Sequence, residues 1–380
     1  MRHYHKKDSV PQFMFHPHEI AFCGFSNSGK TTLILKLIQG LPEFKIGYVK
    51  HDVHQFAMDT PGKDTFVVKE SGAERVFINS KDSFACLGKS QDHPIDYSHQ
   101  LLDLDFVFVE GYKNSMMPKI IIIDDKKEIL VGIKDESFSN IMAYIGKEQQ
   151  CEELPEDVPY FQIDDVDQIK SFVLDKILKK AKEAPLHGLI LVGGKSKRMG
   201  KDKAMLSYYG KPQFEHCADL LSQYVEKVYV SSREGQIEGD AQNIEQIHDI
   251  FVNQGPMGGV LSSMAYDPKA AWLVVACDLP FLDEECITNL INQRNHLKFA
   301  TCYSSSTDFL PEPLCAIYEP KTRMRLMQFM SYGIRCPREV FIHSDVQYLS
   351  LVNKNALNNI NHFHEYQKAA QELDQKRQHV

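Results

Sequence analysis

Twice in this chain a short apolar run ends abruptly in a glycine-rich loop. The first run, Ile20–Cys23, meets Gly24-Phe25-Ser26-Asn27-Ser28-Gly29-Lys30-Thr31. The second, Leu186–Val192, meets Gly193-Gly194-Lys195-Ser196-Lys197-Arg198-Met199-Gly200-Lys201-Asp202-Lys203. A strand that turns through glycines toward a helix is the repeating unit of α/β folds, whose ligands bind beyond the carboxyl ends of the strands. Leu33, Leu35, Leu37 and Ile38 then supply an apolar helix face, with a stop near Gly40 and Pro42. Strand-like runs follow at Lys45–Val49, Arg75–Asn79, Asp105–Val109 and Lys119–Ile123. In the second half, a helix over Gln213–Gln223 precedes strands at Val225–Val230 and Trp272–Ala276, the latter ending in Cys277-Asp278. The alternation predicts mainly parallel sheets covered on both faces.

The 380 residues exceed one ordinary core, and about 150 residues per domain gives roughly two or three. Acidic and proline-bearing Cys151–Pro159 leads to a short run, Tyr160–Ile163, and an amphipathic stretch, Val166–Lys182. Ala184-Pro185 is the expected linker. The expected organisation is a flexible polar tail over 1–18, domains over 19–183 and 186–368, and a polar tail over 369–380. Forty-three basic against 51 acidic residues, a net charge of −8, argue against a nucleic-acid-coating surface. No apolar run reaches the ~18 residues of a membrane span. The basic start is broken by Pro11, His16 and Pro17, which argues against a signal peptide, so a cytoplasmic location is expected. The nine cysteines form no C-x-x-C pair and read as small buried hydrophobes. His3, His5, His16 and His18 read as a solvated tail, while His51 and His54 lie nearer the chemistry.

The first loop fits G-x-x-x-x-G-K-[ST] in the context that motif requires. Its backbone N–H groups, with Gly24, Ser28 and Gly29 shaping the wrap, would cradle phosphates at a helix start that includes Thr32. Lys30 would reach the β and γ phosphates, and Thr31 would hold Mg²⁺. Glu110, at the far end of an apolar strand, is the matching carboxylate for the metal. Asp59-Thr60-Pro61-Gly62-Lys63-Asp64 is a second polar, turn-rich cluster. No N-K-x-D guanine-reading motif follows in the first half, and Asn353-Lys354-Asn355-Ala356 lacks the aspartate. The loop therefore specifies a nucleoside triphosphate without specifying the base.

The second loop is not of that kind. Lys195, Arg198 and Lys203 crowd positive charge around its glycines, which suits a triphosphate losing pyrophosphate. Its companions are Asp249, the Gly255-Pro256-Met257-Gly258-Gly259 turn, and Asp278 in Cys277-Asp278-Leu279-Pro280. An acid at the end of a buried strand is placed to bind Mg²⁺ and bridge phosphate oxygens. Loop-like Pro311-Glu312-Pro313 and Ser331–Cys336 are candidates for holding a second substrate.

With Lys50-His51, Val109-Glu110-Gly111-Tyr112-Lys113 and Pro118-Lys119-Ile120 added, the first half resembles the MobB family of molybdopterin-guanine dinucleotide biosynthesis adapters. That resemblance, over about Ile20 to Leu178, implies guanine preference, weak GTP hydrolysis and a homo-oligomer formed through this domain. The second half resembles the MobA family of molybdenum cofactor guanylyltransferases, following L-A-G-G-x-S-x-R-M-G-x-D-K with Val192 in place of Ala. It runs from about Gly188 to Tyr366, through Asn359-Ile360-Asn361. It implies GTP contacts at Leu191, Val192, Gly193, Lys203, Asp249 and Asp278, with Asp278 also on Mg²⁺. Ser231-Ser232 stands where such proteins often carry Asn.

The two resemblances together imply a P-loop NTPase domain followed by a Rossmann-like nucleotidyltransferase domain, both doubly wound. The reaction they imply moves GMP from GTP to Mo-molybdopterin. Molybdopterin-handling proteins and apo-molybdoenzymes would then be partners. The acceptor is a phosphate monoester with a second pKa near ~6, so it can attack without a strong general base. Lys203, Arg198 and Asp278 are the expected catalytic residues, and no nucleophilic Ser or His is expected. Two other readings stay open: a cytidylyl or sugar-1-phosphate transferase joined to a P-loop domain, and a GTP-regulated scaffold.

Overall fold

The computed structural model describes residues 14–51, 58–88, 95–192, 205–233, 235–236, 244–360 and 362–378. It divides into two compact units, Met1–Ile177 and Leu178–Val380. The chain begins β1 (Glu19–Cys23), α1 (Lys30–Gln39), β2 (Ile46–Lys50), α2 (Asp64–Glu70), β3 (Arg75–Asn79), β4 (Phe84–Gly88) and α3 (Ile95–Leu101). It continues β5 (Phe106–Glu110), β6 (Lys119–Ile122), α4 (Ile129–Lys134), β7 (Ile141–Gly146), β8 (Tyr160–Gln162) and α5 (Val166–Lys182). Six strands form an all-parallel sheet in the order β2-β5-β1-β6-β7-β8.

Every residue of β1, β5 and β6 is buried, as strands covered on both faces require. Helix α1 starts beyond Gly29 and stops at Gly40, and buries Leu33, Ile34 and Leu37 on one face. In α5, Ile169, Val173, Ile177 and Ala181 are buried at four-residue spacing.

Two expectations for this unit are corrected. Arg75–Asn79 is a strand, but it lies outside the parallel sheet and pairs antiparallel with β4 in a separate hairpin. Only Val76 of its five residues is buried, so no core draws it into the larger sheet. The N-terminal segment is not a free tail up to residue 18. The N–H groups of Met14, Phe15 and His16 donate to the Glu19 carboxylate at 2.7, 2.8 and 3.1 Å, and Phe15 is buried. A buried carboxylate needs such donors, and this one takes them from the preceding turn.

The second unit contains β9 (Leu186–Leu191), α6 (Gln213–Ser222), β10 (Lys227–Ser232), β11 (Glu245–His248), α7 (Pro256–Tyr266), β12 (Ala271–Ala276) and α8 (Glu284–Asn292). Then come β13 (Ala300–Ser304), β14 (Pro311–Tyr318), α9 (Thr322–Ser331), α10 (Pro337–Ile342), β15 (Gln347–Leu349) and α11 (Phe363–Gln378). The sheet order is β11-β10-β9-β12-β14-β13-β15. Strand β14 is antiparallel to both its neighbours, and the remaining pairs are parallel. Order reverses between β9 and β12, so the carboxyl ends of β9 to β12 open toward a switch-point crevice. The polar tail expected from 369, read as solvated helix or frayed, is part of helix α11 and is not wholly solvated. Ala369 and Leu373, one turn apart, are buried with Leu206, Tyr208 and Ile360.

Among the described residues no helix is long and apolar enough to cross a membrane. No disulfide forms among the nine cysteines, seven of which are buried.

Candidate functional site

In the first unit the loop leaves β1 at the centre of the sheet. Gly24 is required by space: a Cβ there would lie 2.7 Å from Ser28 Oγ and 2.8 Å from the Ile122 carbonyl oxygen. Ser28 is buried, and its hydroxyl has no partner among the described residues. Lys30 opens α1 and folds back, its Nζ donating to the Phe25 carbonyl at 2.6 Å. Burial lowers the Lys30 pKa, nearby Lys50 pushes the same way, and Glu110 opposes them. Thr31 Oγ1 donates to Glu110 Oε2 at 2.8 Å, and Thr32 is exposed in the same turn.

Glu110 ends β5 beside β1, so strand pairing carries its carboxylate to the loop. Two further groups share it, Tyr48, which the sequence did not single out, and Lys50, which it named only within Lys50-His51. Tyr48 donates its hydroxyl at 2.7 Å, and Lys50 Nζ lies 3.8 Å away. Burial and this carboxylate raise the Tyr48 pKa, so the phenol stays protonated. The Cys23 thiol is pushed up to about 11 by burial, against lysines nearby, which makes it a packing residue. Asp59 accepts from Thr60 N–H and Thr65 Oγ1, both at 2.9 Å, as a turn-stabilising acid. His51 packs its ring against Tyr112, and His54 lies outside the described residues.

In the second unit Leu191 ends β9 at the crevice and Val192 follows it. Gly193, Lys195, Arg198 and Lys203 lie outside the described residues. The Val192 N–H donates to the Ser231 carbonyl, and Gln236 Nε2 donates to the Val192 carbonyl at 2.9 Å. Ser231 Oγ donates to Asp249 Oδ1 at 2.6 Å, so the serine positions the very acid expected to meet nucleotide. Burial raises the Asp249 pKa, and the Ser231 bond partly offsets it. Gly259 lets α7 press against this edge, since a Cβ would lie 2.4 Å from Ser231 Oγ.

Asp278 follows β12 and lines a cavity of about 460 Å³. The same cavity is lined by Glu312, Arg335, Cys336, Arg338 and Asn359. Both segments singled out for a second substrate therefore line the cavity with Asp278, though Pro311-Glu312-Pro313, expected as loop, is the start of strand β14. The reason is topological: β14 runs antiparallel to β12, so Glu312 and Pro313 at its start lie beside the end of β12. The Ile360 N–H donates to the Asp278 carbonyl at 3.0 Å and ties Asn359 to the cavity; Asn361 is outside the described residues. Arg338 is held by Glu312 at 2.8 Å and Asp308 at 3.3 Å. Its place here came from no sequence motif.

Residues 19–147 match the family described as molybdopterin guanine dinucleotide synthesis protein B, and residues 188–344 match the MobA-like NTP transferase domain. A molybdenum cofactor biosynthesis bifunctional protein of a Synechocystis strain is 36% identical over 185 residues, 48% of this chain. The match covers 53% of that relative, so the chain spans about half its length. A molybdopterin-guanine dinucleotide biosynthesis adapter protein of Escherichia coli is 29% identical over 42% of this chain and 94% of its own length. A molybdenum cofactor guanylyltransferase of Xanthomonas euvesicatoria is 29% identical over 41% of this chain and 83% of its own length. The chain thus joins a MobB-family domain to a MobA-like NTP transferase domain.

Proposed function

We propose that this is a bifunctional molybdenum cofactor biosynthesis protein. Residues 186–368 transfer GMP from GTP to Mo-molybdopterin, giving the guanine dinucleotide form and pyrophosphate. Residues 19–183 are a GTP-binding adapter with weak GTPase activity. One observation carries the transferase reading: Asp278, at the end of a buried strand, shares a cavity with Arg335 and Arg338. A carboxylate for a nucleotide-bound cation and guanidinium groups for an acceptor phosphate are what phosphate-to-phosphate transfer needs in one cleft.

Arg338 is oriented by Glu312 and Asp308, while Arg335 makes no ion pair among the described residues and is available to the acceptor phosphate. Held there, an acceptor phosphate oxygen attacks the α-phosphorus of GTP. The bond to the bridging α–β oxygen breaks, and pyrophosphate leaves. Asp249, Leu191 and Val192 line the nucleotide side, with Gly193, Lys203 and Arg198 contributed by the loop. In the first unit Gly24, Ser28, Gly29, Lys30, Thr31 and Thr32 hold the phosphates. Thr31 Oγ1 and Glu110 Oε2, 2.8 Å apart, and the Asp278 carboxylate are hard oxygen donors that fit Mg²⁺. When bound, that ion supplies charge neutralisation at phosphate oxygens.

The unit with the hairpin forms a homo-oligomer. A lone two-stranded sheet is marginal in water, yet this one exposes Phe77 and Phe84 at 63% and 67%. Apo-molybdoenzymes and molybdopterin-handling proteins are the protein partners, and the nine thiols without a disulfide suit a reducing cytoplasm.

The test uses the whole chain with Mg²⁺, each NTP in turn and molybdopterin, assaying pyrophosphate and orthophosphate separately. The expected result is pyrophosphate from GTP alone, dependent on molybdopterin. It falls about a hundredfold or more in Asp278→Asn and persists in Lys30→Ala. Orthophosphate alone, abolished by Lys30→Ala, would make the second unit a binding module.

A further inference from the structure

We propose that Lys113 is a second phosphate-binding cation of the N-terminal nucleotide site, one that reads the terminal phosphate of a nucleoside triphosphate. This rests on the reading of Gly24–Thr31 as a phosphate loop. Beyond Glu110 the chain turns through Gly111 at φ 103° and Tyr112 at φ 52°. A tyrosine in the left-handed region is strained and persists only where its surroundings over-determine it. They do so here. The Tyr112 ring meets Phe15 edge-on at 5.3 Å and His51 at 4.7 Å. Phe15 is fixed in turn by its N–H bond to Glu19. The His51 N–H donates to the Glu110 carbonyl at 3.0 Å, and the Gly111 N–H donates to the Phe22 carbonyl at 3.1 Å.

The product of this turn is the position of Lys113. Its Nζ lies 5.3 Å from the centroid of the Phe25 ring, and Phe25 is the second residue of the phosphate loop. Lys30 Nζ donates to the carbonyl of the same Phe25, so two ammonium groups converge on one loop residue. Both also bear electrostatically on the Cys23 thiol at the end of β1. Of the other cations nearby, Lys50 is paired with Glu110, and Lys119 donates to the Ser115 and Ser139 carbonyls. Lys113 is exposed and has no carboxylate partner among the described residues. An ammonium over an exposed ring is weakly held and keeps its donors for an anion. Thr31 and Glu110 mark where the β and γ phosphates would meet the metal, and Lys113 follows Glu110 by three residues in the chain.

A cation on the γ-phosphate strengthens triphosphate binding and leaves diphosphate binding unchanged. The test titrates the whole chain, in Mg²⁺, with fluorescent N-methylanthraniloyl GTP and GDP, taking the binding component that Lys30→Ala removes. In Lys113→Ala, affinity for the GTP analogue should fall about tenfold with the GDP analogue unchanged, as loss of one charge-assisted bond predicts. Lys113→Arg should restore most of it. Equal losses for both analogues, or no loss for either, would overturn the assignment. If Lys30→Ala removes no binding, the phosphate-loop reading itself fails, which is a separate outcome.

Discussion

Asp249 shows what a single residue's neighbours decide. Its carboxyl is sunk at the edge of the second sheet, where burial raises its pKa above the ordinary 3.8 and the Ser231 hydroxyl pulls it back. A carboxyl whose folded pKa exceeds its unfolded value costs stability above the folded value, and that cost vanishes as pH falls below 3.8. Asp249→Asn is therefore expected to be more stable than wild type in urea at pH 7, with the gap closing as the pH falls through the folded value. A gap that is constant with pH would show that charge is not its origin. Such a residue persists at a stability cost when it serves a ligand. The serine beside it stands where the resembled family often carries Asn. Its hydroxyl instead orients Asp249, and only the parallel register of β10 and β11, with Ser232 opposite His248, reveals that.

Elements explain where residues distant in sequence meet. Phe106–Val109 is legible as a buried strand because all its side chains are apolar, and its terminal Glu110 is legible as a strand-end acid. That Tyr48, 62 residues earlier, would bond the same carboxylate follows only from β2 lying next to β5. Strand β14 is the parallel case in the second unit: its reversed direction brings Glu312 to Asp278, and local sequence carries no mark of direction. The β3–β4 hairpin lies outside both larger sheets and exposes Phe77 and Phe84. If a second copy covers it, Phe77→Glu should weaken the oligomer by about thirtyfold or more, the scale of an interface hot spot. Sedimentation would show monomers at concentrations where wild type is assembled. Unchanged assembly would place the interface elsewhere.

At the scale of the whole molecule, the fold and the chemistry draw on different resources. Among the described residues no group of three or more His, Cys, Asp or Glu is placed to hold a metal, so the cores rest on buried apolar strands and helices. Chelation by EDTA should then leave the thermal midpoint of the nucleotide-free chain unchanged. The same treatment should stop pyrophosphate and orthophosphate release alike, with both restored by Mg²⁺. A lowered midpoint in EDTA would mean that an ion supports the fold itself.

The sequence by itself determined the elements whose causes are local. Glycine loops must turn, apolar runs must be buried, and four-residue spacing gives α5 one apolar face. It also marked the side chains proposed here for phosphate chemistry, because Lys30, Thr31, Glu110 and Asp278 sit at strand ends or loops by pattern alone. The tertiary structure alone decided which of them share a site and what else joins them. Strand order put Tyr48 and Lys50 on Glu110, and the reversal of β14 put Glu312 in the cavity with Asp278 and Arg335. It also docked the segment from Met14 onto Glu19 and buried Leu373, in stretches that composition marks as polar. Pairing between distant segments depends on register and direction, and neither is encoded in any short window of the chain.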